Sequence, residues 1–212
     1  MTKSNNHYYK ISHSTLLRPI LSSVILALGI HWFFQCIWAM DRTERIFKLA
    51  FDIALTILIY FVLIQCLSFI PAISLGWIIA HTVNFLLNGQ AFEVLKHFGK
   101  VKHEKGEIED YIKNLRIRIR SEPSLRWAAI YGSMSRGEMK ATSDLDVRVI
   151  RHPGFVNGLR ACLFVLCERT IAHIKQFPLD ILLLDSPRLL KSIRPDEPPI
   201  VIYDASVDLG IR

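Results

Sequence analysis

Asp144 and Asp146 stand two residues apart in the stretch Asp144-Leu-Asp-Val-Arg-Val-Ile150. Its period-two alternation predicts a strand, on which residues i and i+2 point to the same side. Two carboxylates side by side repel unless a cation lies between them. Hard oxygens in a small cluster suit Mg²⁺ or Mn²⁺. Upstream, Gly132-Ser133 closes an apolar run and leads into Ser135–Met139, read as a short helix. Glycine lets a backbone come close, and N–H groups at a helix start bind anions. The Ser133 hydroxyl can hold a phosphate oxygen, and Gly137 allows a sharp exit from the bend. Arg136 either contacts a phosphate or braces the loop against an acid. Asp180, 34 residues past Asp146, lies on the apolar run Leu179-Asp-Ile-Leu-Leu-Leu184. If that strand runs beside the first, Asp180 faces the pair. It would then complete a two-metal centre and take a proton from an attacking hydroxyl.

The order Gly132-Ser-Met-Ser-Arg136-Gly137, then Ser143-Asp-Leu-Asp146 on a strand, then a lone Asp180 on a later strand, resembles the DNA polymerase β-like nucleotidyltransferase superfamily. It is most similar to the minimal nucleotidyltransferase branch, which includes antitoxin-type enzymes. The resemblance covers about residues 107–205. It implies a small mixed sheet with helices, two Mg²⁺ ions and an NTP donor, ATP first among them. An acceptor hydroxyl or phosphate attacks the α-phosphate and pyrophosphate leaves. Carried over, Asp144, Asp146 and Asp180 are the catalytic metal ligands. Gly132 and Ser133 would bind the triphosphate, and Arg136, Gly137, Ser143 and Arg148 are the further candidates on the nucleotide side. Arg148 departs from the pattern, which usually has an apolar residue there. Being i+2 from Asp146, it either binds the triphosphate or neutralises the carboxylates and weakens metal binding.

Several elements must position these groups. Ile108, Tyr111, Ile112, Leu115 and Ile119 mark one face of a helix over Lys105–Arg120, with acids leading and arginines trailing. Arg116, Arg118 and Arg120 read as a solvated face rather than a nucleic-acid patch. Strands are expected at Leu125–Tyr131, Asp144–Ile150 and Leu179–Leu184, and an edge strand at Pro199–Tyr203. Phe155–Gln176, flanked by Pro153 and Pro178, reads as a helix that buries Cys162 and Cys167. Leu189 and Leu190 begin a further small helix. Asp185, Asp204 and Asp208 suit surface or turn roles. The fold class is α/β (α+β), a nucleotidyltransferase domain over 98–212 preceded by an all-α transmembrane region of two or three helices.

That region follows from composition. The 212 residues are 51% hydrophobic and 21% charged, with mean hydropathy +0.29. Residues 1–97 hold 7 Lys+Arg and 4 Asp+Glu, against 19 and 15 in 98–212. Behind a tail at 1–18, an anchor is expected over 19–97. Pro19–Met40 lacks charge for 22 residues, enough to cross a ~30 Å hydrocarbon core. A charged spacer, Asp41–Lys48, leads to a second span at about 49–70, broken by Pro71. The segment 72–90 is either a third span or an interfacial helix. His31, Asp52 and His81 read as helix–helix hydrogen-bonding groups, with Asp52 at the membrane surface, in preference to a substrate or lipid-headgroup site within the anchor. Lys96, Lys100, Lys102 and Lys105 follow the apolar segment and mark the cytoplasmic side, so the expected location is a multi-pass membrane protein with its catalytic domain cytoplasmic.

Four cysteines without a Cys-x-x-Cys argue against a disulfide scaffold or zinc ribbon. A net charge of +4 over 98–212 is no nucleic-acid stripe, and that stretch is too short for polymerase thumb and fingers. The leading expectation is a membrane-anchored transferase of an NMP, AMP first among them. Its acceptor would be a lipid, saccharide or protein at the bilayer. The alternatives are a catalytically degraded nucleotide-binding or scaffold module, and an enzyme that nucleotidylates a partner protein.

Overall fold

The computed structural model of the chain describes residues 24–91, 105–140 and 143–208. The tail at 1–18, the start of the first expected span and the Lys96, Lys100 and Lys102 cluster lie outside the described residues. Helix α1 (Val24–Phe34) has 11 residues, about 16 Å of rise. It ends where Gln35 and Cys36 turn left-handed at φ 46° and 53°, and a 3₁₀ turn, Ile37–Ala39, follows. Helix α2 (Arg42–Leu63) begins inside the stretch read as a charged spacer. Asp41 starts it by accepting a hydrogen bond from the Arg42 N–H at 2.7 Å, and Glu44 suits its positive end. Helix α3 (Phe69–Leu87) carries Pro71 in its first turn, where proline's missing N–H is harmless. The break therefore falls at 64–68 rather than at Pro71. Both α2 and α3 are long and apolar enough to cross a membrane.

The two helices pack through Ala72, Gly76 and Ala80, all buried and spaced by four. A Cβ on Gly76 would stand 3.4 Å from Thr56 O and Tyr60 N, so small residues set this close approach. Their outer faces stay apolar, with Ile53, Phe61 and Ile70 at least 60% exposed. Inside the pair, His81 Nε2 donates to Trp32 O at 2.9 Å, and Nδ1 lies 2.9 Å from Asp52 Oδ2. Asp52 is thus held between helices.

Helix α4 (Lys105–Arg120) buries Ile108, Tyr111, Leu115 and Ile119, its expected stripe. Arg118 corrects the solvated-face reading. Its guanidinium donates two bonds, at 2.6 and 2.8 Å, to Glu168, whose burial demands a counter-charge. The strands are β1 (Leu125–Tyr131), β2 (Leu145–Arg151), β3 (Leu179–Leu184) and β4 (Ile200–Asp204). Their order is β3-β2-β1-β4. β1 is antiparallel to β2 and β4, and β2 is parallel to β3. The result is a small mixed α+β sheet, as expected.

Helix α5 (Gly132–Ser135) starts three residues before the expected position, because Gly132 at φ 70° bends the chain directly off β1. Helix α6 (Phe155–Ile174) links β2 to β3. It buries Cys162, whose thiol burial pushes up to about 12, but Cys167 is exposed, contrary to the core reading. A 3₁₀ turn covers Pro187–Ser192, and α7 (Ala205–Asp208) closes the described chain. Asp204 Oδ1 accepts from the Ser206 N–H at 3.0 Å, a turn role.

The helical hairpin returns to the sheet at β3, an edge strand. Asp41 Oδ2 accepts from the Asp185 N–H at 2.7 Å, and Glu44 Oε2 from the Leu183 N–H at 3.2 Å. Arg169 pairs with Glu44 at 2.6 Å and donates to Ile181 O at 2.6 Å. Side chains thus satisfy edge groups that would otherwise offer a template for another strand. Asp185 sits in the same joint, accepting from Arg151 Nε at 2.6 Å and from the Thr43 N–H at 3.1 Å.

Candidate active site

Strand register brings two of the three expected acids together, Asp146 and Asp180, while Asp144 stands one residue before β2 rather than on it. Leu145, Val147 and Val149 on β2, and Leu179, Ile181 and Leu183 on β3, are buried in the core. The alternation then sends Asp146, Arg148 and Asp180 to the other face. The parallel pairing sets Asp146 opposite Asp180. On the other flank, Tyr131 lies opposite Asp146, so the Gly132 bend meets that carboxyl. A Cβ at Gly132 would stand 2.0 Å from Asp146 Oδ2. The carboxyl occupies the space that any other residue's side chain would need.

The charges are crowded. Burial, then Asp180, then Asp144 push the Asp146 carboxyl up to about 7, against the pull of Arg148. The Arg148 Nη2 donates to Asp180 Oδ2 at 3.1 Å and lies 3.7 Å from Asp146 Oδ1. Its Nη1 donates to Val147 O and Asp180 O. Of the two roles open to Arg148, neutralising the carboxylates is the one this geometry displays. Among the described residues, no group of three His, Cys, Asp or Glu side chains is gathered to hold a metal. The donor set is nonetheless of the right chemistry: hard carboxylate oxygens whose mutual repulsion, felt at Asp146, a divalent cation would relieve.

The bend supplies a second polar surface. Ser133 Oγ is buried and has no hydrogen-bond partner, an orphan that a phosphate oxygen would satisfy. Arg136 is committed to acids: its Nε donates to Glu138 at 2.9 Å and its Nη1 donates to Glu197. It braces the loop. Ser143 Oγ accepts from the Lys140 N–H at 3.0 Å and so shapes the turn before Asp144. Gly137, at φ 72°, ends the bend. Ser133, Arg136, Ser143, Asp144, Asp146 and Arg148 share one cavity of about 330 Å³ with Ile193, Arg194 and Glu197.

The last three were missed from sequence. Their only signal is the charged cluster Arg194-Pro-Asp-Glu197 after the 3₁₀ turn. A separate cavity of about 240 Å³ lies between the hairpin and β3, and Asp144 lines both. No protein-family model matches the chain, and no curated protein matches it.

Proposed function

We propose that this chain is a membrane-anchored nucleotidyltransferase of the DNA polymerase β-like superfamily. It moves an NMP, in the first instance AMP from ATP, to an acceptor hydroxyl or phosphate and releases pyrophosphate. The carrying observation is the in-register pair Asp146–Asp180 beside a glycine bend whose Ser133 hydroxyl is buried without a partner. In this reading Gly132, having no side chain, leaves room for the Asp146 carboxyl, and Ser133 donates to the triphosphate. Ser143 and Arg136 hold the surrounding turns. Asp180, beside Asp146 yet partly exposed, takes the acceptor's proton. Asp144, Asp146 and Asp180 would hold two Mg²⁺ or Mn²⁺ ions, which offset the triphosphate's charge. Helices α2 and α3, with their apolar outer faces, anchor the enzyme as a multi-pass protein with its catalytic half in the cytoplasm. Detergent-purified full chain should release pyrophosphate from ATP with Mg²⁺, and Asp144→Ala or Asp146→Ala should abolish this. Undiminished turnover in those variants removes the proposal.

Arg148 favours a second reading, a nucleotide-binding or scaffold module without turnover, because its guanidinium already supplies the counter-charge beside both carboxylates. Arg148→Met separates the two. Tighter Mn²⁺ binding with no pyrophosphate release in either form supports the scaffold. Release in the wild type that falls in the variant supports the enzyme.

A further inference from the structure

We propose that the cavity between the hairpin and β3 is the acceptor subsite, and that it takes the neutral, hydroxyl-rich headgroup of a membrane amphiphile. The assignment of an acceptor rests on the transferase reading above; the binding site does not. Asp144, Asp180, Gln90, Asn88 and Met40 all line this cavity of about 240 Å³. That volume is below the ~300–1,000 Å³ of drug-sized pockets and suits a single sugar ring or polyol. Asp144 also lines the cavity that holds Ser133, so a headgroup here and a triphosphate there meet across one carboxylate.

The wall chemistry selects the headgroup. Gln90 is only 6% exposed; its Nε2 donates to Gln35 O at 2.6 Å, and its Oε1 has no hydrogen-bond partner. A buried amide oxygen of this kind calls for a donor. Asp144 and Asp180 also offer carboxylate oxygens. The strong cation of the wall, Arg169, is engaged with Glu44, Ile181 O and Asn88 Oδ1. His31, whose Nδ1 lies 3.5 Å from Cys36 Sγ, and His173 complete the polar lining. A phosphate would face carboxylates and an amide oxygen with the guanidinium already taken, whereas hydroxyls donate to all three acceptors.

The remaining wall selects a lipid carrier. Ala39, Met40, Phe177 and Leu182 are apolar. Ala39 belongs to the 3₁₀ turn after α1, beside which Phe33, Phe34 and Trp38 are 59%, 47% and 76% exposed. An acyl chain leaving the cavity on this side enters the apolar surface of the anchor. In the transfer, the headgroup hydroxyl oxygen bonds to the α-phosphorus of the NTP. The bond from that phosphorus to the α–β bridging oxygen breaks, pyrophosphate leaves with the electron pair, and the hydroxyl proton passes to Asp180.

The test uses the full chain in phosphatidylcholine nanodiscs without nucleotide or divalent ion, so it does not depend on turnover. Cys36 lines the cavity, and Cys167, exposed on α6, is the internal reference. Maleimide labelling of both is followed by peptide mass spectrometry. Glucosyl diacylglycerol in the disc should slow Cys36 labelling and leave Cys167 unchanged, while soluble methyl glucoside should do neither. Gln90→Leu should weaken this protection about fivefold, the worth of one hydrogen bond. Ala39→Trp, which sets a bulky ring at the cavity wall, should abolish it. Unaltered Cys36 labelling with the glycolipid overturns the subsite. Protection by methyl glucoside alone overturns the lipid carrier, and equal protection by phosphatidic acid overturns the hydroxyl headgroup. Protection without any nucleotide transfer under Mg²⁺ and ATP leaves the binding site standing and overturns its role as acceptor subsite.

Discussion

Gly132→Ala separates the site's geometry from the stability of the fold. The new Cβ would lie 2.0 Å from Asp146 Oδ2 and 2.9 Å from its Cγ, and real contacts of this kind do not fall below 3.0 Å. The carboxyl or the bend must therefore shift by about 1 Å or more. The backbone at φ 70° adds a left-handed penalty of about 1–2 kcal/mol for alanine. A 1 Å misplacement of a reacting group costs roughly 10²-fold in rate. The backbone term lowers the melting temperature by only several degrees, at about 2–8 °C per kcal/mol. Mg²⁺-dependent pyrophosphate release should fall about 100-fold or more in a variant that circular dichroism shows folded. Gly154→Ala provides the matched control. Gly154 also has positive φ, at 106°, but a Cβ there meets only Asn157 Nδ2 at 3.8 Å. With φ 106° and ψ 153°, a backbone region essentially restricted to glycine, it should lose at least as much stability and keep its rate. Near-wild-type release in Gly132→Ala, or an equal rate loss in Gly154→Ala, would refute the argument that Asp146 is held by the missing side chain of Gly132.

Three further outcomes are expected. Ser133→Ala deletes a buried hydroxyl without a partner, so thermal stability should hold or rise while ATP affinity, measured by calorimetry, falls by about tenfold; unchanged affinity would detach Ser133 from the phosphates. Glu44→Ala should cost about 3 kcal/mol because it removes the only carboxylate paired with the half-buried Arg169 guanidinium among the described residues, and Glu44→Ala with Arg169→Met should cost less than the two single losses added, as a denaturant double-mutant cycle would read. At Asp185, burial pushes the carboxyl up but is outweighed by hydrogen bonds from Thr43 and Arg151, so it titrates below its ordinary value. Its stabilisation is present above an unfolded value near ~3.9 and disappears as pH falls through the folded value. Asp185→Asn should flatten that acid limb of a melting-temperature profile, and an unaltered limb would show that the joint contributes nothing there.

Much of the fold is written in local periodicity. The helix at Lys105–Arg120 and the strands around Asp146 and Asp180 follow from apolar spacing alone, since each buries one face regardless of its neighbours. The expectation that Asp180 faces Asp146 needed one non-local fact, the parallel pairing of β2 with β3. What local pattern did not carry are contacts between distant residues. Arg118 looked solvated because its partner Glu168 lies 50 residues away. Asp41 and Glu44 looked like spacer charges because the amides they accept from, Asp185 just past β3 and Leu183 on it, lie 144 and 139 residues away. Pro71 was misjudged because proline ends a helix or opens one according to what precedes it. The Ala72, Gly76, Ala80 spacing was open to inspection and would have indicated a tightly paired hairpin.

The acids of α2 that satisfy β3 make the two halves of the sequence one folding problem. A fragment starting after the hairpin would carry a bare strand margin with two thirsty amides and an arginine that has lost its partner. Such a margin invites a second molecule to lie alongside, so the excised half should form oligomers or precipitate. Reagents, crystals or antibodies raised on that half alone would then report a surface that the whole protein never presents.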